Sequence, residues 1–191
     1  NGKAVTITSK NVFTNKYIIL TKNLNFKSKY SYNDSTRTDF GNLNNDDTDG
    51  NSLITEMTTG TGFIPIADYA GNFDGREHTI ANIYINALEG DKTSKALIKN
   101  ATKNASIMNL CVTGTVKSEW QAAGIVAYGV NNGEIKIINC INKANITGKN
   151  MVGGIAASYM KIIENCTNYG NVEITGSEYR ICWYWGNNRS R

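Results

Sequence analysis

ASIMNLCVTGTV at residues 105–116, EIKIINCINKANITG at 134–148 and KIIENCTNYGNVEITG at 161–176 are three copies of one pattern. AAGIVAY (122–128) and VGGIAAS (152–158) lie between them. Asn109 recurs as Asn139 after 30 residues and as Asn165 after 26 more, and Gly124 recurs as Gly154 after 30. Self-similarity at a period of 20–50 residues marks units that cannot bury their apolar face alone and must stack.

Each copy reads as about three short strands. In the first these are residues 106–111, 114–118 and 123–128. That spacing predicts one coil of a parallel β-helix, with strands of successive coils about 4.8 Å apart and equivalent residues forming ladders. A β-sandwich would account for the strands but not for the matched Asn and Gly registers. Before the repeats, residues 4–26 alternate like an opening rung or cap. Residues 27–62 form a polar Asn/Asp/Ser/Thr loop, too long for an ordinary connection. Residues 79–85 (TIANIYI) form an alternating strand. The expected organisation is an all-β parallel β-helix over 1–176, with 27–62 inserted and clear repeats at 106–176. The tail 177–191 (SEYRICWYWGNNRSR) leaves the pattern. It reads either as a shifted reading frame or as an aromatic cap over the last coil.

Charged residues make up 19% of the chain and hydrophobic ones 40%, both below average, with Asn, Thr and Gly filling the gap. The net charge of +4 is spread evenly, so no basic patch points to nucleic acid. There is no apolar run long enough to insert into a membrane.

The segment Phe73-Asp74-Gly75-Arg76-Glu77-His78-Thr79-Ile80 resembles the FDGxxHTI signature of bacterial surface proteins that carry the GLUG repeat. Gly124-Ile125-Val126-Ala127 and Gly154-Ile155-Ala156-Ala157 are similar to the GLUG motif itself, with Ala in place of its final Gly. The phrase IENCTNYGNV is also similar to that family. Similar segments form the N-terminal region of bacterial IgA1 metalloproteases and sit in adhesin-like proteins. The resemblance covers about residues 17–176. It implies a right-handed parallel β-helix on an exported or surface-anchored bacterial protein, flanked by other domains of a longer polypeptide. It implies no activity.

The sharpest chemical motif is Asn45-x-Asp47-x-Asp49-Gly50-x5-Glu56. Its spacing matches a calcium loop, in which Asn45, Asp47, Asp49, the Asn51 carbonyl and Glu56 would supply oxygens and Gly50 the sharp turn. Ser52 stands where such loops carry an apolar residue. Calcium is the only cofactor the sequence suggests. Asn109, Asn139 and Asn165 read as a buried amide ladder. Cys140 and Cys166 read as a buried thiol ladder, with Leu110 in their register and Cys111 one place on. Parallel in-register side chains suit a disulfide poorly, and no C-x-x-C spacing suggests zinc. The single histidine, His78, belongs to a structural turn.

Glu119, Glu134, Glu164 and Glu173 do not recur in register, so the clustered carboxylates of a polysaccharide-cleaving β-helix are not visible. The function expected is a non-catalytic surface or secreted segment acting as adhesin, stalk or binding module toward a glycan or host protein. The alternative is a polysaccharide lyase or hydrolase using carboxylates of the 27–62 loop.

Overall fold

The computed structural model describes residues 13–26, 60–130 and 132–176, which contain strands and turns and no helix. The chain climbs coil by coil. β1 (Tyr17–Ile19) and β2 (Leu24–Asn25) open the stack. β3 (Asn72–Asp74) and β4 (Thr79–Asn86) lie on them. β5 (Ile98–Ala101), β6 (Ser106–Met108) and β7 (Cys111–Lys117) follow. β8 (Ala122–Ala123), β9 (Val126–Gly129), β10 (Lys136–Ile138), β11 (Ile141–Asn142) and β12 (Asn145–Gly148) continue the climb. β13 (Val152–Gly153), β14 (Ala156–Ser158), β15 (Ile162–Glu164), β16 (Thr167–Asn168) and β17 (Val172–Ile174) complete it.

Every strand pairs in parallel with its counterpart one coil away. One sheet runs β1-β3-β6-β10-β15. A second runs from β2 through β4 and β7 to β11 with β12 and then β16 with β17. β8 pairs with β13, and β5-β9-β14 form the remaining sheet. The fold is a parallel β-solenoid, as the repeat spacing requires.

Inward rows run along the stack. Ile18, Phe73, Ile107, Ile137 and Ile163 share one register; Ile85, Val116, Ile146 and Val172 share another. Ile107, Ile137 and Val116 are fully buried. Burying each such aliphatic side chain contributes about 1.5–3 kcal/mol, which a single coil with an open face cannot collect.

Three local readings change: the stretch 123–128 is two strands, β8 and β9, separated by Gly124 and Ile125. The stretch 106–111 is not one strand. Asn109 adopts φ 53°, as do Asn139 (53°) and Asn165 (51°), and each turns the chain from the first sheet into the second. Asn tolerates this left-handed conformation better than other non-glycine residues. Gly114, read as a strand start, sits inside β7 at φ 127°. It faces a bulge in β4, where the register shifts between Ile80 and Ile83 and Asn82 takes φ 60°. A Cβ on Gly114 would lie 2.0 Å from the Ile83 carbonyl oxygen.

Tyr69 is fully buried, and its hydroxyl has no hydrogen-bond partner among the described residues. Burial pushes the phenol up to about 12. Because the folded value is raised, this contribution is intact below about pH 10 and is lost as pH rises toward 12. Tyr69→Phe keeps the ring and its 5.8 Å contact with Phe13. It removes an unpaired buried hydroxyl, so a stability gain of about 1 kcal/mol is expected at pH 7 in urea unfolding. The gap between variant and parent should widen at pH 11. A Phe variant less stable than the parent at both pH values would show that the hydroxyl is satisfied.

Candidate functional site

The calcium motif, Asn45, Asp47, Asp49, Asn51 and Glu56, lies outside the described residues, as do Cys182 and the 177–191 tail. Among the described residues no group of three or more His, Cys, Asp or Glu side chains is placed to hold a metal ion. No described helix is long and apolar enough to cross a membrane.

The FDGREHTI segment is a corner. Phe73 is buried in the core. Asp74 Oδ1 accepts from the Asn109 amide at 2.9 Å and from the Arg76 backbone N–H at 2.9 Å. These bonds, the Asn109 amide first, hold its carboxyl below the usual range. Gly75 allows the Asn109 carbonyl to approach where a Cβ would stand only 2.4 Å away. His78 works through its backbone, its N–H donating to the Gly75 carbonyl and its carbonyl accepting from Cys111.

The Asn109 register proves to be an outer rim. Asn109 is half-buried and Asn139 and Asn165 are exposed. One ladder bond joins Asn139 Nδ2 to Asn109 Oδ1 at 3.1 Å. The inward-facing amides are Asn142 and the half-buried Asn168. Asn142 is fully buried; its Nδ2 donates to the Ala144 carbonyl (2.9 Å) and to Asn168 Oδ1 (2.7 Å), and its Oδ1 accepts from the Ala144 N–H (3.1 Å). A Cβ on Gly124 would lie 2.3 Å from Asn142 Oδ1, and one on Gly154 2.3 Å from Asn168 Cγ. The repeating glycines thus make room for inward-pointing amides. These residues hold the scaffold.

A lateral groove arises where successive turns differ in length. Residues 130–135 connect β9 to β10, whereas only residues 159–161 connect β14 to β15. Between them lies a groove of about 330 Å³ lined by Val130, Asn132, Gly133, Glu134, Tyr159, Met160 and Lys161. Tyr159 is 54% exposed and adopts φ 56°. A bulky residue in the left-handed region is a strained one, and such strain gathers at ligand clamps. Its ring meets Tyr128 edge-on at 5.4 Å. Lys161 Nζ lies 3.4 Å from Glu134 Oε1, with both side chains more than half exposed. The groove therefore offers an aromatic surface beside one donor and one acceptor. Tyr128 pairs with Ser158, not with Tyr159, so a search for in-register repeats passes over this pair.

A second groove, about 460 Å³, runs past Phe63, Ile64, Pro65, Leu88 and Lys95. Ile64 is 85% and Leu88 64% exposed. Asp91 at its edge bonds Lys95 Nζ at 2.8 Å and the Thr93 N–H and hydroxyl at 2.9 and 2.6 Å. Lys95 and then Thr93 hold its carboxyl down to about 2. It is a fixed negative charge at neutral pH and carries no proton to donate. Comparison with protein-family models, with curated proteins and with solved structures gave no match.

Proposed function

We propose that this chain is a non-catalytic β-solenoid segment of a bacterial cell-surface or secreted protein, acting as a binding module or stalk, and that its lateral groove takes glycan. The carrying observation is Tyr159, held at φ 56° with its ring presented beside the Glu134–Lys161 pair. An aromatic face with negative quadrupole suits the C–H-rich face of a sugar ring. The adjacent carboxylate and ammonium suit vicinal hydroxyls, one accepting and one donating. An open, shallow groove on a rigid stack admits a hydrated polymer chain without reorganisation. The surface location rests on the resemblance of the FDGREHTI and GGI segments to GLUG-repeat proteins.

The test is retention on immobilised polysaccharides followed by titration of the best ligand. Tyr159→Gly removes the ring where glycine meets φ 56° without strain, so the fold is preserved or slightly relieved. Affinity is expected to fall at least tenfold, about 1.4 kcal/mol, with an unchanged melting temperature. Equal retention by parent and variant would remove the groove from the binding surface.

A further inference from the structure

Cys140 and Cys166 are chemically distinctive and play no part in the groove. They occupy one register: Ile138 pairs with Glu164 and Ile141 with Thr167, which places Cys140 over Cys166 on adjacent coils. Both are free thiols. Cys140 is fully buried, and Cys166 is half-buried. The Cys140 backbone N–H donates to Cys166 Sγ at 3.4 Å. Cys140 Sγ lies 3.2 Å from the Ile138 carbonyl and Cys166 Sγ 3.3 Å from the Glu164 carbonyl. The two side chains thus take the same orientation one coil apart.

We propose that Cys140 and Cys166 form an oxidant-responsive pair: peroxide attacks at Cys166, and Cys140 resolves the product to an inter-coil disulfide that staples the last described coil to the stack. The path is set by exposure and charge. Cys166 is the more accessible thiol, and the neighbouring Cys140 thiol, followed by the Cys140 N–H, holds it below the usual thiol range. Cys140 is pushed up by the neighbouring Cys166 thiol and by burial, and stays protonated. Among the described residues, the only ionisable group acting on either thiol is the other thiol. The thiolate is the nucleophile toward peroxide.

The Cys166 thiolate attacks one peroxide oxygen. The O–O bond breaks, a sulfenic acid forms, and the leaving hydroxide takes a proton to become water. Cys140 sulfur then attacks the sulfenic sulfur. The S–O bond breaks, the Cys140 proton leaves with the hydroxyl as a second water, and the S–S bond forms. Two thiols lose two electrons, and one peroxide gains them.

Geometry permits this closure at a cost. In-register Cα atoms on neighbouring parallel strands are about 4.8 Å apart, inside the roughly 4.4–6.8 Å span of disulfides. Their Cβ atoms, at about the same spacing, stand slightly beyond the usual approach of about 3.5–4.5 Å. One side chain must turn about χ1 and the coils must tighten at this corner. A bond closed that way is readily reduced, which makes the staple reversible.

The full chain is treated with stoichiometric hydrogen peroxide, alkylated, and mapped by peptide mass spectrometry. The expected product is a Cys140–Cys166 cross-link, two hydrogens lighter, that disappears with dithiothreitol. The melting temperature should rise by several degrees on oxidation and return on reduction, because the bridge closes the loop between the two positions. Cys166→Ala should abolish both effects. Cys140→Ser keeps a hydrogen-bond donor beside Cys166 but cannot form the bridge, so Cys166 should remain a sulfenic acid that dimedone traps. Oxidation confined to Cys111 or Cys182, a cross-link between two molecules, or Cys166 sulfinate formed in the parent without a bridge would each overturn the proposal.

Discussion

Asn142→Ala is expected to destabilise the chain by about 4 kcal/mol in guanidinium unfolding followed by circular dichroism. The size follows from what the substitution strands. Asn142 is fully buried and closes three hydrogen bonds, with the Ala144 N–H, the Ala144 carbonyl and Asn168 Oδ1. Each partner left unsatisfied where water cannot reach costs about 1–3 kcal/mol, and the lost side-chain volume adds a cavity term. The losses are not additive, since one relaxed turn can relieve two of them. Asn142→Val gives a sharper comparison. Val112 occupies the same register one coil earlier, so a valine fits that position of a coil and restores the packing without restoring the bonds. A valine variant that falls between parent and alanine variant would separate the two contributions. An alanine variant within about 1 kcal/mol of the parent would show that the amide is not needed to hold the turn.

The stacked parallel architecture is legible in the sequence because stacking imposes register. Recurrent Asn109, Asn139 and Asn165, and recurrent Gly124 and Gly154, have no other economical explanation. The meaning of each recurrence is harder to read. Asn109 and its repeats suggest a buried amide ladder, yet they recur because the corner needs a left-handed residue. Ile107, Leu110 and Val112 are all buried on either side of that corner, so the apolar pattern gives no sign that the strand has ended. Asn142 and Asn168 escape notice for the opposite reason. A polar residue at an inward position looks like a break in alternation, and only the fold shows that it feeds a turn and a neighbouring amide. The thiol ladder is legible, because Cys140 and Cys166 directly follow the recurrent Asn. The groove is not. Tyr128 and Tyr159 differ by one in register and meet only because Tyr159 bends the backbone to φ 56°.

Gly124→Ala carries the second large effect, and it tests why the glycines recur. A Cβ at this position would stand 2.3 Å from Asn142 Oδ1 and 2.6 Å from the Gly154 carbonyl oxygen. Neither neighbour can give way cheaply. Asn142 is locked by its own bonds, and the Gly154 carbonyl accepts the Gly124 N–H at 3.1 Å in the coil-to-coil ladder. The overpacking should cost about 3 kcal/mol and lower the unfolding midpoint accordingly. Gly90→Ala is the contrasting case, backbone strain without a steric clash. Gly90 adopts φ 82° with nothing within 4 Å of the place an added methyl would occupy, so it should lose only about 1 kcal/mol, the backbone part. The decisive measurement is the double variant Gly124→Ala with Asn142→Ala. Removing the amide opens the space that the new methyl needs, so the pair should be less destabilising than the sum of the singles by about 2 kcal/mol. Strict additivity would mean that the glycine is required by its contact with the Gly154 backbone alone, and that the coincidence of glycine and inward-facing amide in successive coils has no energetic basis.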